Sequence, residues 1–163
     1  MDFDKIDPSF LLDLQKSDEV TWIIARNLRL NGFEVTLPPI KIRPDSGQIK
    51  GYGDDGDLRV SNSVVEVKQR PDLSFERLED FPYSSIIVDV VHHWEEMKVK
   101  PSYYVIVNAG MTGAIIVNGN TRDKWTVSRR WDNKRKRERT FFLVGVEYCN
   151  YWNFRERPKF RFG

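Results

Sequence analysis

Asp57-Leu58-Arg59-Val60-Ser61-Asn62-Ser63-Val64-Val65-Glu66-Val67-Lys68 is the stretch on which the reading of this chain turns. Two apolar, β-branched runs, Leu58–Val60 and Val64–Lys68, flank Ser61-Asn62-Ser63, and the pattern predicts a hairpin. Strand side chains alternate between faces, so Glu66 and Lys68 share one of them. The place of Asp57 depends on the turn. Centred between Asn62 and Ser63, the turn sets Asp57 opposite Lys68 on the face of Glu66; centred on Asn62, it turns Asp57 away unless a bulge re-aims it. Two carboxylates and one ammonium converging on one spot can bind a divalent metal and position a water, which suits phosphodiester hydrolysis.

Upstream, residues 17–31 read as a helix. Ser17 or Asp18 can cap it, Val20, Ile23, Ile24 and Leu28 form an apolar face, and Asn31-Gly32 supplies the stop. Glu19 falls about 40° from Ile23 on a helical wheel, a position from which it can border the core and reach beyond it. Phe33–Leu37 reads as a strand and 44–57 as a loop. Downstream, Ile86–Val91, Tyr103–Val107, Ala114–Val117, Trp125–Ser128 and Phe141–Glu147 have the β-branched and aromatic content of strands. Short helices are expected at Ser74–Asp80 and His92–Lys98. The fold expected is α/β in the α+β sense: one domain over 1–163, with a central mixed sheet and few helices. Its core spans about 17–117, and a basic, β-rich part covers 118–163.

The ordered set of Glu19 on an early helix, Asp57, and Glu66-Val67-Lys68 resembles the PD-(D/E)XK nuclease superfamily, the restriction-endonuclease-like fold. The resemblance covers roughly residues 17–70. It implies a Mg²⁺- or Mn²⁺-dependent DNA endonuclease in which Asp57, Glu66 and the Val67 carbonyl ligate the metal. Lys68 would orient the attacking water, and Glu19 would match the helix glutamate that many members place near the metal. Gly56 stands where the motif's name has proline, and no downstream glutamine–tyrosine motif of the exonuclease branches is present. Spacing and size are closer to stand-alone endonucleases and Holliday-junction resolvases, many of them from phages or mobile elements. A resolvase requires a homodimer to cut two strands. A non-catalytic nucleic-acid-binding protein of the same fold is the competing class, and an RNA-directed nuclease would use the same site residues.

Charge is distributed unevenly. Residues 1–100 carry 13 Lys/Arg against 19 Asp/Glu, a net of −6, and residues 101–163 carry 13 against 5, a net of +8. A polyanion held by the basic part and delivered to the carboxylates would account for the split. The densest basic run is Arg129-Arg130-Trp131 with Lys134-Arg135-Lys136-Arg137 and Arg139. Its cations can neutralise phosphates, while Trp125 and Trp131 offer stacking surfaces; the alternative is a solvated hairpin loop. The tail Phe154–Phe162 is either a second contact or a strand packing on a partner subunit. Asp89, alone in an apolar strand, needs a partner such as Lys68, an arginine or a backbone group, or else points to solvent. His92-His93 could supply a base or ligand, or be one packed and one exposed histidine.

Several classes are excluded. No apolar stretch approaches the ~18–20 residues that span a bilayer. The acidic start lacks the order of a secretory signal, and the single Cys149 rules out an intrachain disulfide framework, so a reducing, cytoplasmic setting is expected. Cys149 reads as a buried filler. Asp54-Asp55-Gly56-Asp57 lacks the closing glutamate of a calcium loop; Asp54 and Asp55 read as turn residues, or either could help through a second metal.

Overall fold

The computed structural model describes residues 8–38, 57–159 and 161, with side chains in the first helix from Lys16 onward. The loop expected over 44–57 lies outside these residues except for Asp57. Helix α1 spans Pro8–Leu30. Ser17 and Asp18 therefore sit mid-helix rather than at its cap, because the helix starts well upstream. Its end is as expected: Gly32 takes φ +86°, its N–H bonds Arg29 O at 2.9 Å, and Phe33 N–H bonds Leu28 O at 3.1 Å. That bond pair is a Schellman motif, and the left-handed φ costs glycine least.

The strands are β1 (Val35–Thr36), β2 (Leu58–Val60), β3 (Ser63–Gln69), β4 (Ser85–Val90), β5 (Tyr103–Val107), β6 (Gly113–Asn118), β7 (Thr126–Asp132), β8 (Arg137–Gly145) and β9 (Asn150–Asn153), with a short helix α2 (Val91–Glu96) after β4. Six form a mixed sheet in the order β1-β2-β3-β5-β6-β9, and three form a second sheet, β4-β8-β7. Within the large sheet only β3 and β5 pair in parallel. Parallel neighbours need a long crossover, and here the crossover carries β4 and α2 out to the second sheet. The fold is thus α+β, as expected from the sequence.

The large sheet is buried on both faces. Val65, Val67, Val105, Val107, Ala114 and Ile116 point to a core completed by Val20, Ile24, Ala25 and Leu28 of α1. Tyr104, Ile106, Ile115 and Val117 point to a second core with Ile86, Val88, Phe142 and Val144 of the small sheet. This two-sided burial explains the near-continuous apolar runs of β5 and β6. At the edge, β9 pairs antiparallel with β6, and the Tyr151 side chain lies over Gly113, where a Cβ would come within 2.0 Å of its hydroxyl.

Other expectations shift. Ser74–Asp80 forms only a 3₁₀ turn at Leu78–Asp80, because buried Phe75 anchors the segment and its carbonyl accepts from Asn108 Nδ2 at 2.8 Å. Strand β9 was not foreseen. The tail folds back on its own chain: Pro158 is buried, and Tyr103 donates its hydroxyl to Arg161 O at 2.6 Å. Cys149 is buried as a filler, and burial pushes its thiol up to about 12. None of the described helices is long and apolar enough to cross a membrane.

Candidate active site

The hairpin fixes the geometry of the motif. Its register pairs Val60 with Ser63 and Leu58 with Val65, so the turn centres between Ser61 and Asn62, with Ser61 at φ +53°. Neither register considered from sequence is the one adopted. Moving the turn centre by a whole residue changes the partner by two and keeps the face. Continued one residue, the register sets Asp57 across from Glu66 rather than Lys68, still on the shared face. Beyond the end of β2, Asp57 Oδ2 takes over the ladder by accepting Val67 N–H at 2.6 Å. A strand residue directs its N–H and C=O to the same edge, so the Val67 carbonyl also opens toward Asp57.

The shared face of Glu66 and Lys68 looks into the layer between the two sheets. Glu66 is only 3% exposed, so the pair is not an ordinary cross-strand ion pair on a solvated surface. Lys68 reaches the rim, with its Nζ 3.3 Å from Asp89 Oδ1. Asp89 is turned inward by a β-bulge. Along β4, Ile86 faces Val144 and Ile87 faces Leu143, but Asp89 faces Phe142, leaving Val88 as the extra residue. Strict alternation from Ile86 would send Asp89 to the outer face; the bulge re-aims it inward.

The buried carboxylate is satisfied on every side. Its Oδ1 also accepts Val90 N–H at 2.8 Å and lies 3.0 Å from His93 Nδ1, and Oδ2 accepts the Tyr104 hydroxyl at 3.0 Å. Burial raises its pKa, but the His93 contact, the Lys68 and His93 charges and the Val90 N–H together outweigh burial and hold it at about 2. Asp89 is therefore ionised at neutral pH and anchors Lys68 electrostatically. Tyr104 stands across from Glu66 in the parallel ladder. Burial first, then the charges of Asp89 and Glu66, push its hydroxyl well above the usual phenol range, so it remains a donor. Helix α2, which presents His93, is held by Lys100, whose Nζ donates to Met97 O at 2.8 Å and to Trp94 O. Trp94 in turn packs edge-on against Phe142 at 5.5 Å.

The structure brings together Asp57, Glu66, Val67 and Lys68, and adds Asp89, His93 and Tyr104. It does not bring Glu19. Counting Ile23 into the apolar face misplaced that face on the helical wheel. The buried positions Val20, Thr21, Ile24, Ala25 and Leu28 put its centre roughly opposite Glu19 at ~100° per residue. Glu19 is exposed beside Trp22 and Arg26, and α1 covers the face of the sheet opposite to Lys68. His92 is exposed and reaches Glu96 at 3.2 Å, so only His93 joins the site.

Oxygen donors are what a hard divalent cation prefers, and Mg²⁺ keeps several waters, so one or two carboxylates can suffice. Asp57, Glu66 and the Val67 carbonyl fit that requirement as a set of hard oxygens. Among the described residues no group of three Asp, Glu, His or Cys side chains is placed to hold a metal by itself. Asp54 and Asp55 lie outside the described residues.

The basic run is mostly strand. Arg129, Arg130 and Trp131 lie on β7, Lys134, Arg135 and Lys136 in the turn, and Arg137 and Arg139 on β8. Asp132 shapes the turn by accepting Lys134 and Arg135 N–H at 3.0 and 3.1 Å. Trp131 is exposed, but Trp125 is buried against Phe142 and Tyr104 and offers no stacking surface. Tyr104 was missed from sequence, although a tyrosine inside an apolar strand signals a hydroxyl in need of a partner.

The chain matches no protein-family model, no curated protein and no solved structure to a significant degree.

Proposed function

We propose that this protein is a Mg²⁺-dependent DNA endonuclease with a restriction-endonuclease-like core. One observation carries the reading: Asp57 closes on β3 at Val67, between Glu66 and Lys68, which share a face, and Lys68 is fixed by a buried, ionised Asp89. When bound by Asp57, Glu66 and the Val67 carbonyl, the metal supplies charge neutralisation at the scissile phosphate and a more acidic water. Lys68 stands between carboxylates, and its ammonium orients the incoming water and offsets charge growing on the phosphate. Asp89 restricts the lysine to that position, with Tyr104 and His93 holding Asp89. The exposed cations of the β7–β8 hairpin hold the DNA backbone.

Asp57→Ala and Lys68→Ala are expected to abolish Mg²⁺-dependent cleavage while DNA affinity largely survives. The measurement is a cleavage panel over linear, nicked, flapped, branched and single-stranded DNA, and RNA, alongside binding. Full cleavage by both variants would sink the proposal. Preference for four-way junctions, together with a dimer in solution, would select the resolvase form. In calorimetric titration with Mn²⁺, no heat from the wild type would favour a non-catalytic binder; heat that Asp57→Asn removes would favour the nuclease.

A further inference from the structure

Beyond Lys68 the β3 ladder runs on to Arg70, whose N–H donates to Val107 O at 2.8 Å. Alternation therefore sets Arg70 on the side of Glu66 and Lys68. It lines a groove of about 540 Å³ together with Tyr83, Ser84, Ser85 and Arg130. Two guanidiniums from different sheets, three hydroxyls and an aromatic ring thus meet in a groove that begins two residues beyond Lys68 and runs over the outer face of β4, which Ser85 and Ile87 share. Tyr83 is 55% exposed, yet its ring is braced edge-on by buried Phe81 at a centroid distance of 5.7 Å. Ser84 is pinned at the mouth of β4 by its carbonyl, which accepts Val146 N–H at 3.0 Å.

We propose that this groove binds an unpaired DNA strand. Arg70 and Arg130 would hold phosphates and Tyr83 would stack a base. The assignment of DNA rests on the nuclease reading; the assignment of an unpaired strand rests on the groove. Guanidiniums pair bidentately with phosphate oxygens. A cationic groove with an exposed, braced aromatic is the general arrangement for single strands, since every base has a face to stack. The volume is on the scale of a small-ligand site rather than a duplex-wide channel.

One acidic group competes. Asp72 bonds Arg70 through Nε at 3.2 Å and Nη2 at 3.1 Å, and it is more than half exposed. A phosphate offers a guanidinium the same two-bond geometry as this carboxylate, so the two compete for Arg70. Asp72 then acts as a built-in competitor for the strand, and its removal is expected to tighten binding. Loss of a purely structural pair would not.

The test is fluorescence anisotropy in metal-free buffer, using a labelled oligothymidine and a blunt duplex of equal length over a range of salt concentrations. The proteins are wild type, Arg70→Gln, Tyr83→Ala and Asp72→Asn, with folding checked by circular dichroism. Tyr83→Ala is expected to weaken single-strand binding by about 5- to 100-fold. Arg70→Gln is expected to weaken it and to reduce the salt slope by roughly 0.7. Asp72→Asn strengthens it, and duplex affinity changes little in all three. Unchanged single-strand affinity in Arg70→Gln and Tyr83→Ala overturns the inference, as do equal losses for duplex and single strand. If the wild type cleaves with Mg²⁺ while the groove variants bind as wild type, the groove alone fails. If the groove effects appear but no substrate is cleaved, the nuclease reading fails and the groove stands.

Discussion

Replacing Asp89 by asparagine keeps the shape of the side chain and removes the charge on which four neighbours converge. The carboxylate sits at about 2 against a reference of 3.8. At ~1.36 kcal/mol per unit, that difference corresponds to about 2 kcal/mol of stability at pH 7. The sign follows from the lowered folded-state value: the contribution is fully present above 3.8 and fades as pH falls through 2. By linkage it is nearly unchanged at pH 5 and falls to about half at pH 3. The substituted amide can still accept from Val90 N–H and donate to the Tyr104 oxygen, so the loss is expected to report charge rather than packing. Urea unfolding followed by tryptophan fluorescence, for wild type and Asp89→Asn at pH 7, 5 and 3, measures it. The expected gap between the proteins is about 2–3 kcal/mol at pH 7 and about half that at pH 3. A gap below ~0.5 kcal/mol at pH 7, or one independent of pH, would refute the claim that Asp89 is an ionised anchor.

Two further outcomes are expected. Gly32→Ala places a Cβ at φ +86° with nothing within 4 Å to resist it sterically, so the cost is conformational: about 1–2 kcal/mol by urea unfolding, with no change in DNA binding. Lys134→Gln, Arg135→Gln and Lys136→Gln combined remove three exposed turn charges, which lowers the salt slope of duplex binding by up to about 2.7 while stability stays within ~0.5 kcal/mol. An unchanged slope would remove the hairpin tip from the DNA interface.

Much of this was written in local patterns. Strand β5 has the span expected from Tyr103–Val107, and β4, β6 and β8 cover most of theirs, because β-branched runs of that length have few other uses. Gly32 stops α1 because only a residue tolerant of left-handed φ closes a Schellman motif there. Glu66 and Lys68 share a face because β3 runs through them in unbroken register, with no bulge to upset alternation. The upstream reach of α1 was less visible, since Pro8–Leu30 has weak apolar periodicity and Ser17-Asp18 mimics a cap. Glu19 was misplaced for a related reason: partly buried Ile23 pulled the inferred apolar face toward it, whereas contact with β1–β3 selects Ile24 and Leu28.

Sequence by itself determined the strand content, the α1 stop and the Glu66/Lys68 pairing, all of which follow from interactions within a few residues. Tertiary structure decided which groups meet. A two-residue turn set Asp57 against Glu66, a choice between registers that keep the same face and that pattern cannot rank. The bulge at Val88 turned Asp89 from an outward position to an inward one, because the second core on Phe142 and Val144 draws β4 in at that point. The crossover from β3 to β5 then carried Asp89 and His93 back to Lys68, a meeting between residues over twenty positions apart that packing of two sheets alone specifies.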